Sequence, residues 1–442
     1  MSDHEGHLPS REQLAALISR PIAPRLKQVS LVLAILGLLV FVAGIATGQE
    51  RAWHAWHVNW LFFTVIASAG VMLSAVQRIT TARWSRSVIR ISEANVSFLP
   101  IAFVMLVVTI VAGRTHIFPW THEAPTQPEK ALWLDPMFWS IRGVVVFGLL
   151  TALSLWFVYT AVRLDVGVLP EWGANWGKGI RARMRRGFGD ERRELHTTHS
   201  LQGRLAVILA LAFGFGWVML SWDLSMSIDP HFQSTMYGWQ FFIGGWLANI
   251  MLLSMLVRFW RNQLGAHEVI TDSHFHDIGK LAFGFTAFWG YLTFSQLLVI
   301  WYGNLAEESH FFRLRLIAPW TSLTVSVVFL TFVLPFFGLL GKFPKLFAPT
   351  MVLFASMSLL GIWIHRYLEI YPVIYQQTVA TPPIGLWEIG IFLGYLGLWG
   401  FSYLSFMDAF PRMRVFMMTS PYRDEIQVPC DPKTMEPLPA HE

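Results

Sequence analysis

Charge is what this sequence has least of. Only 14% of its 442 residues are Asp, Glu, Lys or Arg, against roughly a quarter in a soluble domain. At the same time 54% are hydrophobic and the mean hydropathy is +0.47. A chain this poor in charge cannot cover a water-facing surface, which excludes a soluble enzyme, a disordered regulator and a secreted scaffold. Cysteine is nearly absent as well. The lone Cys430 permits no disulfide, no four-thiolate iron–sulfur cluster and no C-x-x-C-H haem attachment. Any redox centre the function needs belongs to a partner or diffuses in from the bilayer. The formal charge of +5 matters through where its basic residues sit, and it does not imply nucleic acid.

What the chain has in abundance is long apolar runs. Ten are found, at 29–47, 58–76, 95–113, 139–162, 204–221, 237–257, 280–301, 318–338, 347–365 and 386–407, each near the ~20 residues that carry a helix across a bilayer. They predict an all-α integral membrane protein, with ten transmembrane helices over 29–407. A cytoplasmic segment 1–28, too polar for a signal peptide, precedes them, and a cytoplasmic tail 408–442 follows. With the N-terminus inside, the segments on that side hold 26 Lys and Arg and the opposite side holds 7. This asymmetry places both termini in the cytoplasm. A faint parallel repeat sets Trp60-Leu61-Phe62-Phe63 against Trp239-Gln240-Phe241-Phe242, with Glu93 and Asp277 each standing before the next helix. It predicts two four-helix bundles, with repeat halves 58–221 and 237–365, and helices one and ten flanking them.

The chemistry gathers at the ends of the runs. The loop Trp222–Met236 lacks Lys and Arg and instead carries Asp223, Asp229 and His231, with Tyr237 and Trp239 beside them. Ionisable groups near hydrocarbon cost up to about 2.5–3.5 kcal/mol, so such a cluster needs pairing, water or function. As a functional site it reads as a quinol site, in which a His–Asp pair accepts the ring protons and the aromatics hold the head group. As structure alone it reads as Asp229 capping ahead of Pro230 within an aromatic belt. His365, Arg366 and Glu369, with Glu388 nearby, read first as an ion pair of Arg366 with a carboxylate. Their place in the repeat also makes them the opposing wall of a proton path. On the cytoplasmic side Asp277 and Glu93 are the candidates for proton entry, among neighbours expected to pair with Arg258 and Arg261. The run Arg181 to Arg193 reads as a topology signal and anionic-lipid contact. His54, His57 and His116 read as interfacial and solvated. No two histidines are expected to face each other as haem ligands, and no metal site is predicted.

Two segments are more specific than the rest: SIDPHFQSTMYGWQFF, from Ser227 to Phe242, and YLTFSQLLVIWYGNLAEE, from Tyr291 to Glu308. They resemble the second large membrane subunit of quinol:cytochrome c oxidoreductases of the alternative complex III type, a relative of the NrfD-like membrane subunits of polysulfide reductases. The resemblance covers about Val29 to Met407. It implies a bacterial cytoplasmic membrane, and as partners a paralogous NrfD-like subunit, an iron–sulfur subunit and c-type cytochrome subunits, besides membrane lipid. It also implies a quinol, menaquinol or ubiquinol, as the diffusible cofactor, with Asp223, Asp229 and His231 serving quinol binding, a proton path, or both. No cofactor would be ligated by this chain itself. Two readings from other classes stand beside it: a secondary transporter, which ten helices with a repeat also fit, and a structural membrane anchor without a quinone site. The charge partition yields a direct test. Reporter fusions after Glu442 and near Thr126 should report opposite sides of the membrane, and a shared side would overturn the orientation.

Overall fold

The computed structural model describes residues 10–422 except 124, 126 and 170–177. Cys430, the first nine residues and the last part of the C-terminal tail lie outside the described residues. The regular structure described is helical throughout, and ten helices are long and apolar enough to cross a membrane. These are α1 (Pro24–Ala46), α2 (Arg51–Ile79), α3 (Ile89–Ile117), α4 (Pro136–Val168) and α5 (Glu191–Ile228), then α6 (Thr235–Leu264), α7 (Asp272–Gly303), α8 (Thr321–Gly338), α9 (Ala348–Tyr375) and α10 (Leu386–Ala409). The chain is therefore an all-helical, multi-spanning membrane protein.

Most of these helices run past the apolar stretches that announce them. α2 starts at Arg51 rather than 58, and α9 continues to Tyr375 rather than 365. A helix of 28 residues is about 42 Å long, against roughly 30 Å of hydrocarbon. The added turns are polar, yet neighbouring helices bury them, so the helical hydrogen bonds have no reason to stop. Local signals set several ends. Asp135 caps α4 by accepting from the N–H groups of Met137 and Phe138, with Pro136 at the first position, and Gly265 closes α6 at φ +64°.

α2 is the axial element. Its apolar window is wholly buried, enclosed by α3, α5, α6, α9 and α10. Around it, α4 packs on α5, while α7 and α9 pack on α6 and α8 packs on α9. α1 instead lies on the outside, burying only Gly37, Phe41 and Gly44, and holds to the bundle chiefly through α10.

The two ends of the protein differ. The short helix Arg11–Ile18 meets the segment after α10, where Arg11 Nε donates to Thr419 Oγ1 at 3.3 Å. Both described ends thus lie on one side, called here the termini side. The opposite side is called the far side. The first part of the 408–442 segment is docked rather than free, with Met413, Val415 and Phe416 fully buried.

The α1–α10 seam is a glycine contact. A Cβ built on Gly37 would stand 2.1 Å from Gly394 Cα, and one built on Gly394 would stand 2.7 Å from Gly37 Cα. Close backbone approach of this kind is what small residues supply between helices in lipid. Because the clash is with backbone, nothing flexible can yield. Gly37→Val or Gly394→Val should therefore push the helices apart, destabilising the chain by roughly 1–3 kcal/mol or more. Thermal unfolding in mild detergent measures this. Ala at the exposed Leu36 should leave the midpoint unchanged.

Candidate functional site

The regular α-helix of α5 ends at Leu224 and gives way to a 3-10 turn, Met226–Ile228. At this end three consecutive residues engage three different helices. Asp223 turns to α4, where Arg142 grips its carboxylate with Nε on Oδ2 and Nη2 on Oδ1, both at 2.7 Å. Trp133 Nε1 adds a third bond at 3.0 Å. The Leu224 carbonyl accepts from His57 Nε2 of α2 at 2.5 Å. Ser225 donates to Glu369 Oε2 of α9 at 3.1 Å, and its oxygen lies 2.6 Å from the Tyr237 hydroxyl. With the serine hydrogen spent on the carboxylate, Tyr237 is the donor to Ser225.

Glu369 is the centre of the second group. Arg366 Nη1 lies 2.8 Å from its Oε1 and 2.9 Å from its Oε2, which is the ion pair read from the sequence. The Arg366 guanidinium lies over the Phe241 ring, 3.7 Å from its centroid. His365 Nδ1 is 3.9 Å from Glu369 Oε1. Arg315, from the helix Ala306–Leu316, donates to the Glu369 carbonyl at 3.1 Å. Burial pulls the Arg315 guanidinium down to about 10, opposed by Tyr237, Asp229 and Glu369, so it is a cation at neutral pH.

The cluster read from the sequence is thus divided. Tyr237 joins Glu369 through Ser225, whereas Asp223 belongs to Arg142. Asp229 closes the 3-10 turn only through its backbone N–H, on the Met226 carbonyl, and its side chain caps no helix: Oδ1 accepts the backbone N–H of His231 at 3.2 Å. The His231 side chain is exposed, as is Trp239, which packs edge-on to Phe215 and Phe242. Asp229 lines a cavity of about 220 Å³ together with Lys130, Trp133, Trp222 and Phe232. A second cavity, about 510 Å³, lies across Trp222 and is lined by Gln233, Ser234 and Gln296. Glu388 does not join Arg366 either. It takes Arg51, at 2.7 and 3.1 Å, and accepts the Tyr371 hydroxyl at 2.9 Å.

His54 and His57 correct the sequence reading. Both were expected to be solvated at the interface, yet they are 2% and 0% exposed, because the first turns of α2 are helical and enclosed. His54 Nε2 donates to the His116 carbonyl at 2.9 Å, and its Nδ1 lies 3.0 Å from the Tyr375 hydroxyl.

On the termini side, Glu93 is fully buried. It accepts from Ser74 at 2.5 Å, pairs with Arg90 at 2.9 Å and is also bound by Arg414. Arg90 reaches Asp165 at 2.5 Å, and the Phe416 N–H donates to the same carboxylate at 2.8 Å. Asp277 is different: half-exposed, it pairs with Lys280 at 2.7 Å. Arg261 takes Asp272 at 2.9 Å as expected, while Arg258 spends its donors on the Ser254 and Lys345 carbonyls.

Among the described residues, no three His, Cys, Asp or Glu side chains are grouped to hold a metal ion. Sequence reading missed Arg142, Ser225, Asp165, Arg90 and Arg414 as site residues. Arg142 was findable, being a lone cation inside an apolar run that must have a counter-ion. Arg90 was findable as well, three residues before Glu93 on the same helix, while Ser225, Asp165 and Arg414 carry no local signal. No protein-family model matches this chain, and no curated protein matches it.

Removing one partner of a buried pair leaves an uncompensated charge, at a cost of roughly 3–5 kcal/mol. Arg142→Leu should therefore sharply lower the thermal midpoint in detergent. Combining it with Asp223→Leu should restore most of the loss, and a double variant as unstable as the single would refute the pairing.

Proposed function

We propose that this chain is an integral membrane subunit of a quinol:cytochrome c oxidoreductase complex of the alternative complex III type, and that its own contribution is a proton path. The observation that carries the reading is a file of buried polar groups along α2. His57, Thr64 and Ser68 recur at spacings of seven and four, so they share one face of the helix. His57 Nδ1 and the hydroxyls of Thr64 and Ser68 are buried without a protein partner. From His57 to Ser74, which holds Glu93, the helix rises about 25 Å, most of the roughly 30 Å of hydrocarbon. Asn249, Thr331 and Ser358, on α6, α8 and α9, also have buried polar atoms without partners. Such atoms cost about 1–3 kcal/mol each when dry and are satisfied by water wherever it fits. A hydrated file between two carboxylates suits proton transfer, with Glu93 at one end. At the other end Glu369 meets His57 through adjacent residues, Ser225 and Leu224. In this reading α2–α5 and α6–α9 act as two four-helix bundles, with α1 and α10 beside them, and the termini side is cytoplasmic.

A second reading, quinol contact on the far side, is favoured by the cavity at Asp229. A carboxylate at an aromatic-walled cavity can accept one ring proton; Lys130, which also lines the cavity, donates to the Pro230 carbonyl at 2.9 Å and leaves Asp229 free for that role. The two electrons would leave to the iron–sulfur partner, since this chain supplies no carrier. A secondary transporter fits less well, because the ion pairs sit toward the helix ends rather than at the midplane.

In the assembled complex, Glu93→Gln and Glu369→Gln should lower proton release per electron while quinone binding persists. Asp229→Asn and His231→Ala should instead slow quinol oxidation and weaken quinone or inhibitor binding if the cavity holds the head group. Migration on native gels as a lone species, without c-type haem, would overturn membership of the complex. Full oxidation and proton release in all four variants would reduce the buried groups to structural ion pairs.

A further inference from the structure

A cleft on the termini side is used by neither reading. It lies where the end of α2, the end of α4, the start of α5 and the segment after α10 converge, with about 80 Å³ of space. One wall is polar and carries more cations than carboxylates: Arg78, Arg86, Arg414, His199 and Gln77, with Asp165 among them. The other is apolar: Ile89, Leu164, Leu195, Phe416 and Met417.

The charges around it do not cancel. Arg90 and Arg414 are matched by Glu93 and Asp165. Arg78 has no carboxylate among the described residues and gives Nη2 to the His199 carbonyl at 3.0 Å. Arg414 Nε and Gln77 Oε1 are buried without partners. Of Arg78, Arg90 and Arg414, set against Glu93 and Asp165, Arg78 is the cation without a carboxylate among the described residues, and Arg86 also lines the cleft; a single oxyanion would neutralise Arg78. Arginine at the polar end of a transmembrane bundle, with apolar walls beside it, is the chemistry of a phospholipid head group.

We propose that this cleft binds the phosphodiester of an anionic phospholipid, with Arg78 and Arg414 on the phosphate oxygens and the apolar wall against the glycerol and upper acyl chain. The inference does not rest on the proton path, although Arg414 also binds Glu93.

Native mass spectrometry and thermal unfolding of the full chain, delipidated in detergent, test it with three probes: dioleoyl phosphatidylglycerol, the phosphate-free dioleoylglycerol, and inorganic phosphate. One equivalent of phosphatidylglycerol should be retained and should raise the midpoint, while dioleoylglycerol should do neither. Arg78→Gln should weaken phosphatidylglycerol binding about tenfold, as the loss of one charge-assisted bond implies. Gly203→Asp gives a second route that removes no native contact: a Cβ there stands 3.6 Å from Arg78 Nη2, so the new carboxylate should occupy the cation and lower binding comparably. Arg313→Gln, on the far side, should bind as the unaltered chain does. Equal effects of dioleoylglycerol and phosphatidylglycerol, or unaltered affinity in both cleft variants, would overturn the proposal. Inorganic phosphate binding as tightly as the lipid would overturn the lipid assignment in favour of a soluble oxyanion.

Discussion

The constraint on which most of this structure depends is that a carboxylate buried on a membrane-spanning helix must keep a cation in contact. Desolvation costs several kcal/mol per ion, and only a close, well-bonded partner offsets it. Asp223 meets the demand with Arg142, Glu369 with Arg366, Glu388 with Arg51, and Glu93 and Asp165 with Arg90 and Arg414. Apart from Arg366–Glu369 and Arg90–Glu93, these pairs join different elements, so each also fixes how two segments sit against one another. The end of α5 shows how strongly this acts. Neighbouring side chains on a helix point about 100° apart, so Asp223, Leu224 and Ser225 cannot serve one partner. They tie α5 to α4, α2 and α9 at a single level.

Some of this was legible in the sequence. Ten apolar runs give ten helices, because run length and low charge are enough to recognise a span. Arg366 with Glu369 was legible too, since residues three apart share a helix face. The boundaries were less so. Hydropathy reports where lipid-compatible residues stop, while a helix ends only where its backbone finds better partners, and that lies about two turns before the run for α2 and nearly three turns after it for α9. The same gap explains the histidines: from an apolar-run boundary at 58, His54 and His57 look solvated, but the helix already surrounds them. The pairing of Asp223 with Arg142 spans 81 residues, and nothing local specifies it.

The two sides of the protein satisfy this constraint by different means. On the far side the cations come mainly from the helices themselves, Arg51, Arg142 and Arg366, with Arg315 from the adjoining short helix. On the termini side one of them, Arg414, comes from the segment after α10, which also gives the Phe416 N–H to Asp165. That segment is part of the buried electrostatics and not a free tail, so its docked position depends on α2, α3 and α4 together.

α2 connects the two sides. A helix enclosed on all faces has no lipid-facing stripe, so its sequence need not be uniformly apolar, and its hydroxyls and amides either find partners or remain buried without one. Asn59 and Asn95 find them, accepting from Trp363 and Trp399 at 2.9 and 2.8 Å. These bonds pin α2 and α3 to α9 and α10 with neutral groups, where an ion would cost far more. Thr64 and Ser68, five and nine residues further along α2 than Asn59, have no such tryptophan. The contrast is informative because the same helix had the means to satisfy its polar groups and did so beside them. Those left unpaired lie between His57 and Glu93, and under the proposed function it is this position that marks the axis of the bundle as a path rather than as core.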